Sequence, residues 1–311
     1  MNKNIINIKK IWIAGHSGMV GSAIYRNLKK RKMNLLIVAK DKLDLRIQKD
    51  VEIWLDKNKP DIIFLAAARV GGILENNNHP AEFISENLQI QTNVITSAHK
   101  KNVRQIIFLG SACIYPISNK PIKENDLLSG RLEPTNRAYS VAKIAGIEMC
   151  RSFSEQYGLN YLSVQPNNLY GPKDNFSAQS GHVIPALIKK MYDAKVNNKK
   201  KCEIWGSGKP KREFLFVDDL AEALFLILEK YKKIDPINIG SGFEITIHDL
   251  ALLIKDIIGY NGELIFNQKY PDGVYRKFLD SSKIKNLGWK PKVSIEEGLK
   301  LTFEWFLKNK C

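Results

Sequence analysis

The chain has 311 residues, 44% of them hydrophobic, which is enough to bury a large core and argues against a chain dominated by disorder. The formal net charge of +16 would suit a nucleic-acid ligand, but the lysines are spread along the whole chain and only 199–201 form a short run, so we expect no nucleic-acid site. The apolar runs are shorter than the roughly 20 residues of a membrane span, and the four cysteines lack C-x-x-C or zinc-like spacing, so we expect no membrane helix, disulfide framework or metal site.

The N-terminal residues 1–10 are polar and basic, and the apolar run that follows them, 11–14, is too short for a signal peptide. We therefore expect the protein to stay in the cytoplasm. The run 11–14 is the first of several short apolar segments, which alternate with longer amphipathic ones. Strands are predicted at 11–14, 35–38, 62–66, 106–109 and 161–164, and helices at 19–30, 80–100 and 138–157. This alternation predicts parallel strands joined by crossover helices, that is, an α/β fold with a Rossmann-type doubly wound sheet.

A glycine-rich turn follows the first predicted strand immediately and leads into a predicted helix. Gly15, Gly18 and Gly21 are spaced G-x-x-G-x-x-G. In such a turn the first glycine permits a tight bend, the second lets backbone N–H groups approach a pyrophosphate, and the third lets the helix pack on the strand. The motif between strand and helix therefore predicts a dinucleotide site. The predicted cofactor-binding residues of the turn are Gly15, His16, Ser17, Gly18, Met19, Val20 and Gly21.

The residues after the second predicted strand distinguish NAD from NADP, because a carboxylate there binds the ribose 2′-hydroxyl and a cation accepts a 2′-phosphate. Lys40 stands near this point and is followed by Asp41, so the sequence favours NADP(H). Asp44 and Leu45 are placed to reach the adenine, and a loop-capping role for Asp44 is the alternative.

The pattern changes beyond Gly171, where turn-forming clusters of Gly, Pro and Ser make it less regular. We assign 1–170 to an NADP(H)-binding Rossmann domain, with segments near 212–240 returning to it. Residues 171–311 are predicted to form mainly a smaller α/β substrate-binding lobe.

Tyr139 and Lys143 stand four residues apart, which places them on one face of a helix. An ammonium beside a phenol favours the phenolate, so we expect Lys143 to lower the pKa of Tyr139 and allow it to exchange a proton with a sugar oxygen. Ser111 follows the strand 106–109, at the carboxyl edge where open α/β sheets bind ligands, and is predicted to hydrogen-bond the same oxygen. A Tyr-x-x-x-Lys pair alone is mostly structural. The presence of Ser111 at the carboxyl edge of the sheet favours a catalytic role for the pair.

These residues together resemble the extended short-chain dehydrogenase/reductase family and, within it, the GDP-L-fucose synthase family, whose members epimerise C3 and C5 and reduce C4 of GDP-4-keto-6-deoxymannose. The resemblance spans nearly the whole chain. The segments that carry it are 14–24 (AGHSGMVGSAI), 65–73 (LAAARVGGI), 113–116 (CIYP), 168–172 (NLYGP), 174–176 (DNF), 181–185 (GHVIP) and 212–214 (REF).

The resemblance implies a two-part reaction. A ketone at C4 acidifies the C–H bonds at C3 and C5, and inverting these centres needs a base on one face and an acid on the other; Cys113 and His182 match the family's pair for this step. In the reduction that follows, Tyr139 would protonate the alkoxide at C4, Lys143 would hold the nicotinamide ribose, and Ser111 would stabilise the oxyanion in both steps. The structural alternatives, for each residue taken singly, are that Cys113 packs in the core as a small apolar side chain and that His182 is a hydrogen-bonded loop residue.

The resemblance also implies contacts to the cofactor and the substrate, and a homodimer formed through the helices at 81–100 and 138–157. Further cofactor-binding positions are Ala66, Ala67, Lys143, Pro166, Asn167, Asn168, Leu169 and His182. The substrate-binding positions are Lys190, Trp205, Arg212 and Asp272. Cations among them can pair with the diphosphate of a GDP-linked sugar. The structural alternatives are a surface charge for Lys190 and a core aromatic for Trp205.

Alternatives remain open for the cofactor and the reaction. Some family members carry Arg in place of Ser17 and another near Val38 or Ala39, and only Lys40 remains here to bind a 2′-phosphate. The substrate could carry a hexose or a heptose, and the nearest alternative is a C4 reductase of a 4-keto-heptose without epimerase activity. A 4,6-dehydratase would place acidic residues where Ala112 and Cys113 stand. A simple C4 epimerase would not need the cysteine–histidine pair, and a non-catalytic NADP(H) sensor would not need the catalytic set.

Overall fold

The computed structural model describes residues 9–177, 180–270 and 272–309. Six parallel strands form its central sheet, in the spatial order β2-β1-β3-β4-β5-β9. Their bounds are β1 (Lys10–Ala14), β2 (Asn34–Leu36), β3 (Ile62–Leu65), β4 (Gln105–Leu109), β5 (Asn160–Pro166) and β9 (Ile237–Ile239). The chain reverses its direction across the sheet between β1 and β3, which is the switch point where such sheets bind ligands.

Helices cover both faces of this sheet. Their bounds are α1 (Met19–Lys30), α2 (Gln48–Asn58), α3 (Ile73–Asn78), α4 (Pro80–Lys100), α5 (Arg137–Tyr157) and α7 (Val217–Lys230). α1 packs against α7 on one face, and α4 packs against α5 on the other. Neighbouring residues of β1 enter different cores, Ile13 with Leu224 of α7 and Trp12 with Val94 of α4. Burial of both faces explains why the strands are continuous apolar runs.

The smaller part of the molecule has two short sheets of its own. β6 (Asn168–Tyr170), β8 (Lys211–Phe216), β10 (Glu244–Thr246) and β12 (Arg276–Lys277) form one, and β7 (Lys201–Trp205) pairs with β11 (Glu263–Asn267) in the other. The helices are α6 (Val183–Val196), α8 (Ile247–Ile258), α9 (Ser282–Asn286) and α10 (Ile295–Asn309). A separate apolar core contains Tyr170, Met191, Leu250 and Phe306.

The parallel sheet covered by helices confirms the predicted α/β doubly wound fold. The helices at 19–30 and 80–100 have the predicted bounds, and the third begins one residue earlier, at Arg137. β9 joins the central sheet beside β5, whereas β8 lies in a smaller sheet. The division at residue 170 stays a prediction. Over the described ranges, no helix is long and apolar enough to cross a membrane.

Candidate active site

The glycine turn lies at the switch point of the sheet, between the ends of β1 and β3. Gly15 has a φ of +92°, and a Cβ atom there would lie 2.7 Å from the backbone nitrogen of Ala67. A Cβ atom at Gly21 would overlap the carbonyl oxygen of Gly15. Only glycine therefore fits at these two positions. The missing side chain at Gly15 lets the turn contact the Ala66-Ala67 segment directly.

The start of α1 fits the pyrophosphate of a dinucleotide. Gly18 caps the helix without a side-chain hydrogen bond, and the first turn contains no acidic residue. Its backbone N–H groups and the positive end of the helix dipole therefore face the turn without a competing carboxylate. His16, within the turn, has a pKa lowered by burial and by the charge of Lys173.

The loop after β2 contains the residues predicted to bind the 2′-phosphate and the adenine, and they differ in exposure and in hydrogen bonding. Lys40 and Asp41 are exposed. Asp44 instead binds Arg46, whose backbone nitrogen lies 2.9 Å and whose Nη2 lies 2.7 Å from its carboxylate oxygens. This hydrogen bonding holds the pKa of Asp44 below its usual value. The geometry thus matches the loop-capping alternative for Asp44. Leu45 accepts a hydrogen bond from Asn93 of α4 at 3.0 Å.

Ser111, Tyr139 and Lys143 meet at the carboxyl end of β4. The Ser111 side chain is close enough to the Tyr139 phenol to lower its pKa, and the Lys143 ammonium lies 5.8 Å from the centre of the Tyr139 ring. Lys143 Nζ donates to the carbonyl oxygen of Leu109, the last residue of β4, at 2.8 Å. The first two turns of α5 are thereby tied to the end of the strand. The structure therefore brings the three side chains to one edge of the sheet, and their catalytic roles stay a prediction.

The pKa values in this cluster are set by burial. Burial and the nearby Cys113 raise the pKa of Tyr139 above its usual value, and the Ser111 side chain opposes this. Burial lowers the pKa of Lys143 to about 7. The expectation that Lys143 lowers the pKa of Tyr139 is therefore wrong, because burial of the phenol raises its pKa and the opposing effect comes from Ser111.

The turn after β4 is held by side chains from two other elements. The backbone nitrogen of Ser111 donates to Gln165 Oε1 on β5 at 3.0 Å, and Ser111 Oγ accepts from the backbone nitrogen of Cys113 at 3.2 Å. Ser140 Oγ of α5 donates to the carbonyl oxygen of Cys113 at 2.8 Å. Cys113 is half-buried and close enough to Arg212 to affect its pKa. Gln165 was not identified from the sequence.

His182 caps the N-terminus of α6 and reaches the same edge of the sheet through a backbone contact. The Gly72 backbone nitrogen, in the segment after β3, donates to the Ser180 carbonyl oxygen at 2.9 Å. A Cβ atom at Gly72 would lie 2.6 Å from the carbonyl oxygen of Gly181. The His182 side chain is 44% exposed, and its Nδ1 lies 3.7 Å from Asp174 Oδ1.

The predicted substrate-binding residues form two pairs. Lys190 Nζ lies 3.9 Å above the ring centre of Trp205, which stacks on Tyr270 at 4.5 Å, a residue that sequence analysis missed. Arg212 donates to the backbone oxygen of Asp272 at 3.3 Å. The Asp272 carboxylate itself accepts from the backbone nitrogen and hydroxyl of Ser207 at 2.6 and 2.7 Å. Burial lowers the pKa values of Lys190 and Arg212.

The segment predicted to border the nicotinamide is tied to the smaller lobe by a buried carboxylate. Glu213 accepts hydrogen bonds from the side chain of Asn167 and from the backbone nitrogens of Gly242 and Leu279, the last two at 2.7 and 3.1 Å. Asn168 Nδ2 donates to the Glu213 carbonyl oxygen at 2.9 Å. Glu213 and Asp174 both stand in motifs that the sequence analysis recognised, but no role was assigned to them.

Known proteins are similar to this chain in sequence and in fold. Residues 11–240 match the NAD dependent epimerase/dehydratase family. GDP-L-fucose synthase 1 of Arabidopsis thaliana is 50% identical over 97% of this chain and 94% of its own. A GDP-mannoheptose C4 reductase from Campylobacter jejuni, solved with NADP bound, is 39% identical with a TM-score of 0.87, over 96% of this chain and 98% of its own.

A second solved structure, a GDP-6-OMe-4-keto-L-xylo-heptose reductase from C. jejuni, is 37% identical with a TM-score of 0.91, over 97% of this chain and 98% of its own. These matches confirm the resemblance that the sequence motifs predicted. The chain belongs to the NAD dependent epimerase/dehydratase family and is similar over nearly its whole length to GDP-L-fucose synthases.

Proposed function

We propose that this protein uses NADPH to reduce the C4 keto group of a GDP-4-keto-6-deoxy sugar and that it also epimerises C3 and C5. The meeting of Ser111, Tyr139 and Lys143 at the carboxyl end of β4 carries this proposal, because a hydroxyl, a phenol and an amine in one place suit the protonation of a reduced carbonyl oxygen. The relatives named as GDP-L-fucose synthases and the neighbour solved with NADP support the choice of cofactor and substrate class.

The reduction uses the cluster as a proton source. NADPH, when bound at the glycine turn, would supply the hydride to C4. Tyr139 then donates its proton to the alkoxide oxygen, and its raised pKa keeps the phenol protonated and available at neutral pH. Ser111 donates a hydrogen bond to the same oxygen. Lys143 lies beneath the phenol and holds the ribose hydroxyls of the cofactor.

The epimerisation uses Cys113 and His182 as the proton-exchanging pair. The Cys113 thiolate removes a proton next to the ketone, Ser111 stabilises the enolate oxygen, and His182 returns a proton on the opposite face. Cys113 lies within two residues of Ser111, so one turn presents both groups to the carbonyl region of the sugar.

The GDP part of the substrate is assigned to the smaller lobe. Lys190 and Arg212 are proposed to bind the diphosphate, and Trp205 with Tyr270 provides an aromatic wall. The cofactor is assigned to the turn residues 15–21, to Lys40, and to the 166–169 segment. We further propose a homodimer through α4 and α5, a cytoplasmic location, and no nucleic-acid or membrane partner.

A second candidate function is C4 reduction of a GDP-linked 4-keto-heptose without epimerisation. The two solved neighbours, one named as a GDP-4-keto-heptose-type reductase and the other as a GDP-mannoheptose C4 reductase, favour it. Both candidates use the same reductive cluster, and they differ in the sugar and in whether Cys113 and His182 act.

Isotope exchange separates the two functions. The protein is incubated in deuterated water with GDP-4-keto-6-deoxymannose, without cofactor, and deuterium at C3 and C5 is measured by NMR. Incorporation at both carbons supports the epimerase, and none would leave only the reductase. NADPH and NADH are then added in parallel, with the hexose and with its heptose counterpart, and the products are analysed. An absence of NADPH oxidation with either sugar would contradict both candidates.

A further inference from the structure

Asp174 is a buried carboxylate beside the proposed acid His182. Its side chain is 4% exposed, and its Oδ1 lies 3.7 Å from His182 Nδ1. The same oxygen accepts a hydrogen bond from the backbone nitrogen of Asn175 at 2.8 Å. The other oxygen, Oδ2, is buried and has no hydrogen-bond partner among the described residues.

A buried carboxylate needs a positive partner, since an isolated charge is expensive to remove from water. Over the parts of the chain that the structure describes, His182 is the side chain that forms an ion pair with Asp174. The adjacent Lys173 is exposed, and its charge acts on His16. Asp174 thus has one group that can neutralise it, and that group is charged only when the imidazole carries two protons.

Asp174 is also fixed in place by its surroundings. The Asp174 backbone nitrogen donates to the Gly171 carbonyl oxygen at 3.3 Å. On the other side of the loop, Asn175 Nδ2 donates to Ser180 Oγ at 3.1 Å, two residues before the histidine. Contacts within 171–177 and between 175 and 180 therefore help to hold the carboxylate near the imidazole.

We propose that Asp174 is a positioning residue for proton transfer by His182: it binds Nδ1 and leaves Nε2 as the nitrogen that gives a proton to the sugar. A carboxylate on one imidazole nitrogen fixes the tautomer and the orientation of the ring. The ring remains 44% exposed, so its other nitrogen can exchange a proton with a ligand. This inference rests on the proposed function, in which His182 is the acid of the epimerisation.

The charge of Asp174 also acts on the protonation of His182. The residues around the ring partly desolvate it and disfavour the imidazolium, but the nearby Asp174 carboxylate outweighs this effect, so the pKa of His182 is raised. The Gly72 backbone that packs on Gly181 adds no charge, and Glu75 of α3 is paired with Arg69. Asp174 thus increases the fraction of His182 that is a proton donor near neutral pH.

The first experiment measures His182 directly by NMR. Its imidazole signal is assigned among the five histidines with a His182→Gln variant and titrated in the full-length protein. We expect the pKa of His182 to fall in Asp174→Asn and to stay unchanged in Asp193→Asn, which removes an exposed carboxylate from the same helix, paired with Lys189. An unchanged pKa in a folded Asp174→Asn protein would overturn the proposal.

The second experiment measures catalysis. Deuterium exchange at the sugar carbons is expected to slow by about 10-fold in Asp174→Asn, with an optimum shifted to lower pH, while hydride transfer to an already epimerised sugar stays unchanged. Equal slowing of both reactions, without a pH shift, would indicate a merely structural role and overturn the proposal. Where Asp174→Asn does not fold, Asp174→Glu keeps the charge, and a wild-type pH optimum there supports the inference.

The two experiments separate this inference from the proposed function. Absence of deuterium incorporation by the unsubstituted protein defeats the epimerase function, and with it the catalytic role of Asp174. The titration decides the pairing independently, because the pKa of His182 requires no turnover. A lowered pKa of His182 in Asp174→Asn, together with slower deuterium exchange at the sugar carbons, supports both the inference and the proposed function.

Discussion

The nucleotide side and the sugar side of the active site are built in different ways. On the nucleotide side, one contiguous turn, 15–21, presents backbone N–H groups at the start of a helix, and glycines keep it close to the end of β3. On the sugar side, the groups are side chains from the turn after β4, from α5, from Asp174 and His182, and from the smaller lobe.

This difference teaches where specificity and chemistry can change. A backbone site binds the pyrophosphate that all dinucleotides share, and it depends on the absence of Cβ atoms. A side-chain site depends on charges and hydrogen bonds brought together over long sequence separations. Substitutions on the nucleotide side should therefore act through shape, and those on the sugar side through protonation and charge.

The largest effect is expected from Tyr139→Phe. It removes the phenol proton while keeping the ring and its edge contact with Phe83, 6.3 Å between centroids. NADPH oxidation should fall by about 10² to 10⁴-fold, measured by cofactor absorbance, while deuterium exchange at C3 and C5 continues. Tyr157→Phe, at the exposed end of the same helix, is the control and should keep full activity. Unchanged oxidation in a folded Tyr139→Phe protein would defeat the assigned role.

The glycine turn allows a sharper test of shape against chemistry. A Cβ atom at Gly21 would overlap the Gly15 carbonyl, whereas one at Gly18 has 3.7 Å to its nearest neighbour. Gly21→Ala should lower the free energy of unfolding by about 1–3 kcal/mol, measured in urea. Gly18→Ala should leave that free energy nearly unchanged and weaken NADPH binding, measured by calorimetry. Equal stability of the two variants would mean that the turn can relax around the added carbon.

The contrast between the two sides also explains how much the sequence could predict. β1, the turn and α1 follow one another within 21 residues, so local spacing predicted them, as it predicted that Tyr139 and Lys143 share one face of a helix. Ser111 was predicted from its position after a strand, at the carboxyl edge of the sheet. α2 was missed because only Val51 and Leu55 of its eleven residues are buried, which leaves a weak periodic signal.

The remaining omissions depend on tertiary packing. Glu213 accepts a hydrogen bond from Asn167, which lies 46 residues earlier between β5 and β6, and no local pattern predicts that pair. The direction of the Tyr139 pKa was mispredicted for the same reason, since helix spacing shows which side chains are neighbours but not how deeply the packed core desolvates them.

Glu213→Gln tests the junction between the two sides. The carboxylate accepts hydrogen bonds from Asn167 and from the backbone nitrogens of Gly242 and Leu279. In the Gln variant, the side-chain NH₂ group would face at least one of these N–H donors, and that hydrogen bond would be lost. We expect a loss of about 1–3 kcal/mol in the free energy of unfolding, measured by urea denaturation. Glu203→Gln, an exposed carboxylate in the same lobe, is the matched control and should change it by less than about 0.5 kcal/mol. Equal stability of both variants would contradict the bridging role.

Lys190→Met is expected to have the smallest effect on stability. Its effect on function should be confined to substrate binding. Lys190 Nζ lies over the Trp205 ring rather than in a carboxylate pair, so its charge remains available to a phosphate. The KM for the GDP-sugar should rise by about 10-fold with kcat unchanged, because a charge-assisted hydrogen bond is worth about 1.5–3 kcal/mol in binding and Lys190 is assigned no part in the proton transfers.

Lys189→Met is the neighbouring control. Lys189 is already paired with Asp193 at 2.5 Å, so its substitution should leave the KM for the GDP-sugar unchanged. Lys190→Arg should restore most of the affinity, because it keeps both the charge and the stacking on Trp205. If Lys190→Met and Lys189→Met behaved alike in steady-state kinetics, Lys190 would only cover the indole, and the diphosphate would have to be bound by Arg212 without it. The sugar side would then rely on a single cation.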